Sequence, residues 1–169
     1  MQNDMKIILV ALGVTILVIV GVAFFLEGKS EDQEESTVEV LEVQVNPENY
    51  ELGNVPINDG LVTKEYEVKN TSSETIKLKK IVTSCMCTQA KASIGDKETR
   101  YFGMEHPGDR NPSVNLEIPA GEAAKVDVNF DPAAHGPQGT GPFDRVVTLT
   151  FSDPAGVKEL TFNGTVVSK

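Results

Sequence analysis

Beyond its first 26 residues, the chain alternates apolar and polar side chains with a period of two, the pattern of a strand with one buried face. Turn sequences rich in Gly, Pro, Asn and Asp separate these runs, as at residues 58–60 and 153–156. The alternation therefore predicts six or seven strands, around residues 38–45, 62–68, 76–82, 126–130, 147–151 and 160–166.

No stretch after residue 26 carries the three-to-four-residue periodicity of a long amphipathic helix. Short strands separated by turns, without helices between them, are typical of two sheets packed face to face. The predicted fold class is therefore all-β, an immunoglobulin-like two-sheet sandwich of about seven strands.

A different pattern fills residues 7–26, which are 20 consecutive residues without a charge. About 20 helical residues at ~1.5 Å each span a ~30 Å hydrocarbon core, so this segment predicts one transmembrane helix. Phe24, Phe25 and Leu26 lie where a cleaved signal peptide has small residues, which favours a retained anchor. Lys6 before the segment and acidic residues after it place the N-terminus in the cytoplasm.

Four segments follow from these patterns within the 169 residues. Residues 1–6 are a short cytoplasmic N-terminus, 7–26 the transmembrane helix, 27–36 an acidic solvated linker, and 37–169 the sandwich domain. The predicted localisation is the cell membrane, with a single pass and the domain outside, either periplasmic or at the cell surface. The net charge of −10 and the lack of Lys and Arg clusters exclude nucleic acid as a partner.

The two cysteines of the chain, Cys85 and Cys87, flank Met86. On an extended strand, residues i and i+2 face the same side, so both sulfurs would share one surface. A disulfide between them needs a local turn or bulge, because extended backbone holds the Cα atoms at the ~6.5 Å edge of the permitted range. Packing as small apolar side chains, oxidation and metal binding all remain open for this pair.

Other soft or borderline ligands lie in turn-rich loops. Thiolate, thioether and imidazole groups together suit Cu(I), and Cys with His also suits Zn(II). Loop packing by the methionine and hydrogen bonding of loop carbonyls by the histidines are the structural alternatives. The candidate metal ligands are Cys85, Cys87, Met104, His106 and His135.

Catalytic signatures are missing from the sequence. A thiol oxidoreductase usually carries Cys-x-x-Cys at the start of a helix, and Cys85-Met86-Cys87 has a different spacing. Gly-rich phosphate-binding patterns are absent, and the scattered carboxylates nominate no acid–base pair. The chain is therefore not expected to be an enzyme.

Four segments of the chain resemble the bacterial family called domain of unknown function 1573: residues 50–55, 68–71, 81–88 and 118–122. The resemblance spans most of residues 46–167. It implies an exported immunoglobulin-fold domain related to the ASH and major-sperm-protein groups, with no established activity. Two departures are Met86, where the family often has Gly, and residues 93–115, which look like an insertion.

The leading functional interpretation is a membrane-anchored binding or scaffolding module that contacts another protein of the envelope through sheet edges and loops. Copper or zinc binding through the Cys-Met-Cys segment is one alternative. A thiol redox switch at the same two cysteines is the second.

Overall fold

The computed structural model describes residues 39, 40 and 42–168. The predicted cytoplasmic N-terminus 1–6, transmembrane helix 7–26 and linker 27–36 lie outside the described residues. Within the described part, no helix combines the length and the apolar character that a bilayer span requires.

Ten strands and one 3₁₀ helix are present in the described residues. In the first sheet the strand order is β1-β3-β8-β5-β6, and in the second it is β2-β10-β9-β4-β7. Paired strands are antiparallel except β2 and β10, which run parallel. The elements are β1 (Val43–Asn46), β2 (Asn49–Pro56), β3 (Val62–Asn70), β4 (Ile76–Thr83), β5 (Thr88–Ile94), β6 (Lys97–Glu98), β7 (Leu116–Ile118), β8 (Ala123–Phe130), the 3₁₀ helix (Gly136–Gly139), β9 (Gly141–Ser152) and β10 (Gly156–Val167).

The predicted all-β, two-sheet class is confirmed, but the expected number of about seven strands is too small. Strand β5 went undetected because its buried positions hold Thr88, Ala90 and Ala92, which are too small or polar to form an apolar alternation. Strand β2 lies at a sheet edge and contains Gly53 and Pro56, residues that interrupt a strand pattern in the sequence.

The core lies between the two sheets and contains fully buried aliphatic and aromatic side chains from both. Each large apolar side chain that is buried contributes roughly 1.5–3 kcal/mol. Tyr66 of β3 also links the sheets, because its hydroxyl donates a hydrogen bond to the Thr161 carbonyl of β10 at 2.6 Å. Burial disfavours the charged phenolate, so the pKa of Tyr66 is raised well above its usual value near 10.

Strand register defines the two ends of the sandwich. Val62 at the start of β3 and Thr88 at the start of β5 both pair with Phe130 at the end of β8. The loops 57–61, 84–87 and 131–140 therefore lie at one end, called here the loop end. Glu39 pairs with Val157 near the start of β10, so the described chain enters the domain at the opposite end.

Candidate functional site

Cys85, Met86 and Cys87 form a tight turn between β4 and β5 at the loop end. The Thr88 N–H donates to the Cys85 carbonyl at 3.1 Å, which closes the turn. The Cα atoms of the cysteines are 5.2 Å apart, and the two residues form a disulfide. The expectation that both sulfurs lie on one face of an extended strand is thus wrong, because the chain makes the local turn that a Cys-x-Cys disulfide needs.

Buried hydroxyl and backbone hydrogen bonds fix this turn. The Thr83 hydroxyl lies 3.0 Å from the carbonyls of both Cys85 and Thr88. Ser84 pairs with Val146 of β9 twice: its N–H donates to the Val146 carbonyl, and its Oγ accepts from the Val146 N–H, each at 2.9 Å. The turn is therefore held against β9 as well as between β4 and β5.

Nitrogen groups approach both sulfurs. His135 Nε2 lies 3.2 Å from Cys85 Sγ, and the Cys87 N–H donates to the same sulfur at 3.2 Å. Arg145 Nε donates to Cys87 Sγ at 3.2 Å, while Thr88 Oγ1 lies 3.6 Å from that sulfur. Each sulfur of the disulfide therefore has its own nitrogen-bearing side chain.

Two separate elements supply these side chains. His135 lies in the loop after β8, which is tied to the turn by the Asp131 N–H donating to the Cys87 carbonyl at 2.9 Å. Gly139 packs so closely that a Cβ there would lie 2.8 Å from His135 Cβ. Arg145 belongs to β9, and its guanidinium lies 5.8 Å from the centre of the Phe143 ring.

Both cysteines of the turn are buried, whereas Met86 between them is exposed. Cys85 is 8% exposed and Cys87 3%, whereas Met86 is 62% exposed. Leu61, the residue before β3, is 65% exposed and lies in another loop of the same end. Two large apolar side chains and the disulfide therefore share the loop end.

Three of the predicted metal ligands come together. Within the described part of the chain, the sulfurs of Cys85 and Cys87 and one ring nitrogen of His135 lie within 4.8 Å of one another. His106 does not belong to this group; it is exposed, and its backbone pairs with that of Asp109. Met104 is partly buried two residues earlier in the chain.

Sequence reasoning missed Arg145. It lies 58 residues after Cys87 and has no spacing relation to the cysteines. The pairing of β4 with β9, in which Thr83 lies opposite Val147, brings Arg145 to the turn that follows β4. Only this strand register identifies it.

Residues 43–99 match the family described as "Protein of unknown function (DUF1573)". The matched segment is shorter than the 46–167 suggested by sequence resemblance and ends within the segment 93–115 that looked like an insertion. No curated protein matches the chain.

Several solved structures are similar to this chain. A protein of unknown function from Porphyromonas gingivalis W83 has a TM-score of 0.53 and 12% identity, covering 80% of this chain and 51% of that one, so the chain spans about half of that protein. A family 123 glycoside hydrolase from Clostridium perfringens has a TM-score of 0.50 and 9% identity, covering 72% and 23%. The ASH / PapD-like domain 7 of human CEP192 has a TM-score of 0.45 and 12% identity, covering 83% and 93%.

Identities this low bear on the fold alone. The family match agrees with the resemblance found in the sequence, and it falls on the strands that lead into and out of the disulfide turn. Residues 43–99 of this immunoglobulin-like sandwich are therefore similar to the domain of the DUF1573 family.

Proposed function

We propose that the sandwich is a non-catalytic protein-contact module, held outside the cytoplasm by the predicted helix at residues 7–26, and that its loop end contacts another envelope protein. The observation that carries this proposal is the presence of Leu61 and Met86, 65% and 62% exposed, at the same end of the sandwich. Single exposed apolar residues are ordinary, but neighbouring ones mark contact sites.

The register supports their proximity. Leu61 precedes Val62, Met86 lies two residues before Thr88, and both Val62 and Thr88 pair with Phe130. Strands β3 and β5 flank β8, so their backbones are about 10 Å apart, two strand spacings. Two apolar side chains at that separation suit the centre of a small interface.

The charged residues of the loop end indicate which kind of partner surface would be complementary to it. The loops 57–61, 84–87 and 131–140 contain Asp59 and Asp131 but no Lys or Arg. An apolar patch on the partner surrounded by basic side chains is complementary to such a surface. Glu39, the first described residue, pairs with Val157 at the opposite end of the domain.

Site-specific photocrosslinking in host membranes tests the contact. A photoreactive amino acid replaces Leu61 or Met86 in the full chain, and Glu122, exposed at the opposite end, is the matched control position. We expect the same adduct from positions 61 and 86 and none from 122. Adding Leu61→Asp to the position 86 probe should abolish the adduct. Equal adducts from all three positions, or none from 61 and 86, contradict the proposal.

Membrane attachment has its own test. Cell fractionation of the full chain should place it in the membrane fraction, resistant to alkaline extraction. Deleting residues 1–36 should release the sandwich from that fraction. Extraction of the full chain by alkali contradicts the predicted anchor.

Binding of Cu(I) or Zn(II) is a second candidate function, favoured by the approach of the Cys85, Cys87 and His135 ligand atoms to within 4.8 Å of one another. Thiolates bind these metals, so the disulfide must first be reduced. Reduced full chain, exposed to either metal without oxygen and desalted, should retain about one metal per chain. His135→Ala should weaken retention and His106→Ala should not. Full stoichiometry in the Cys85→Ser, Cys87→Ser variant contradicts this site.

A further inference from the structure

The disulfide at the loop end contributes little to the stability of the fold. Cys85 and Cys87 are two residues apart, so their bond closes a ring within one turn and joins no two strands. The stabilisation that a disulfide gives by restricting the unfolded chain grows with the length of the closed loop, and it is smallest for a ring this short. Stability therefore does not account for this bond.

The surroundings of the sulfurs suit thiolates better than a disulfide. Arg145 Nε donates to Cys87 Sγ at 3.2 Å, and the Cys87 N–H donates to Cys85 Sγ at 3.2 Å. Neutral sulfur is a weak hydrogen-bond acceptor, whereas hydrogen bonds from a cation to an anion are about twice as strong as neutral ones. Reduction thus increases what these donors contribute.

The two sulfurs are not equivalent. Cys85 is 8% exposed and lies beside the exposed His135, whereas Cys87 is 3% exposed and lies beside the half-buried Arg145. Cys85 is the more exposed of the two residues, which favours attack by a thiol from solvent at its sulfur. Cys87 is then the sulfur that leaves, and a leaving thiolate departs faster when its negative charge is better stabilised.

We propose that Cys85–Cys87 is a thiol–disulfide exchange site that reacts with thiols. Cys85 is the sulfur attacked, Cys87 is the leaving thiolate held by the Arg145 guanidinium, and His135 accepts the proton of the incoming thiol. This chemistry is stoichiometric and requires no turnover. It goes beyond the proposed contact function and does not depend on a partner docking at the loop end.

Exchange with a thiol R–SH proceeds in two steps. His135 Nε2 takes the thiol proton, the R–S⁻ sulfur bonds to Cys85 Sγ, and the Sγ–Sγ bond breaks with its electron pair moving to Cys87 Sγ. A second R–SH, after losing its proton, attacks the R sulfur of the mixed disulfide and releases Cys85, which is protonated. Two R–SH are oxidised to R–S–S–R, and the protein disulfide is reduced to the Cys85 thiol and the Cys87 thiolate, with the proton of the first R–SH on His135.

Arg145 also favours thiol–disulfide exchange over metal binding at this turn. A bound metal cation beside Cys87 would lie close to the guanidinium, and like charges at such short range repel each other. The same guanidinium favours a free thiolate. The geometry therefore favours exchange over a metal site at this turn.

Reduction of the native full-length chain by millimolar glutathione tests the proposal, with thiols trapped by alkylation and counted by mass spectrometry. We expect Arg145→Gln to be reduced about five- to tenfold more slowly than the native chain, because the leaving thiolate loses its cation. Arg145→Lys should retain much of the rate. Arg100→Gln, at an exposed arginine beside Phe102, should leave the rate unchanged.

Two reductants distinguish a role of His135 as proton acceptor from a purely structural role. His135→Ala should slow reduction by glutathione near pH 7, where the thiol must lose its proton, but not reduction by a phosphine, which has no thiol proton. An equal slowing with both reductants contradicts its role as the base.

Three results overturn the exchange site as a whole. The first is a native disulfide that glutathione reduces only after unfolding. The second is an Arg145→Gln rate equal to that of Arg100→Gln. The third is a metal ion held by the reduced chain that prevents the disulfide from re-forming, which assigns the site to metal instead. Crosslinking at positions 61 and 86 reports on the contact function separately from all three.

Discussion

Asn70, at the end of β3, offers the sharpest test of how a buried polar group holds this sandwich. Its side chain is fully buried. Nδ2 donates to the carbonyls of Glu74 at 2.7 Å and Ile118 at 2.9 Å. Oδ1 accepts from Ser72 N–H at 2.9 Å and Ser72 Oγ at 2.8 Å. The substitution Asn70→Asp keeps the shape and the two accepted bonds but removes both donors.

The expected cost follows from these contacts. The Ile118 carbonyl loses its side-chain donor at a cost of about 1–3 kcal/mol, whereas the Glu74 carbonyl keeps the Ser72 hydroxyl as a donor at 2.9 Å. An ionised carboxylate buried beside two carbonyl oxygens adds repulsion and desolvation. We expect a loss of about 3–5 kcal/mol in the free energy of unfolding at neutral pH. A domain of this size has roughly 6–20 kcal/mol in total at about 0.05–0.15 kcal/mol per residue, so the variant should fold but be clearly weakened.

The loss should depend on pH with a defined sign. Burial and the neighbouring carbonyls raise the pKa of the introduced carboxyl above the ~3.9 of an unfolded Asp, so the folded state retains a proton that the unfolded state releases. Stability of the variant therefore falls as pH rises from about 4 to the raised pKa, by up to about 1.4 kcal/mol per pH unit.

Urea unfolding between pH 4 and 7.5 measures this effect against the native chain. The matched control is Asn54→Asp, which adds the same charge at an exposed position of the edge strand β2. We expect the control to remain within about 0.5 kcal/mol of the native chain. An Asn70→Asp variant that matches the control, or whose loss is the same at pH 4 and pH 7.5, refutes the reasoning.

Three further predictions concern stability. Tyr66→Phe should cost about 1 kcal/mol at pH 7 in urea unfolding because the bond to the Thr161 carbonyl is lost. The raised pKa of Tyr66 means that the native chain loses stability as pH rises above about 10, and the variant should lack this loss. Gly164→Ala places a Cβ 2.8 Å from the Gly53 carbonyl oxygen and should lower the free energy of unfolding by about 1–3 kcal/mol; an unchanged melting temperature contradicts this close packing. Thr83→Val removes the hydroxyl that holds the disulfide turn and should lower the free energy of unfolding by about 1 kcal/mol, measured by the same urea titration. An unchanged free energy of unfolding contradicts this role of the hydroxyl.

The sequence determined the fold class because side chains at i and i+2 of a strand face the same side, so a buried face leaves its own record in the chain. That record is clear in β3 and β8, where valines and aromatic residues alternate with polar ones. It fades in β5, whose buried face is made of Thr and Ala, and in β6 and β7, which have only two and three residues. The membrane helix at residues 7–26 stays a prediction.

For the candidate site as well, the sequence determined one part and the tertiary structure the rest. Composition singled out Cys85, Cys87 and His135 as reactive residue types. The tertiary structure decided that the cysteines form a turn rather than a strand, that His135 lies beside one sulfur, and that Arg145 lies beside the other. Periodicity records which face of an element is buried. It does not record which distant element packs against that face, and this site is assembled by the pairing of β4 with β9 and by the loop that follows β8.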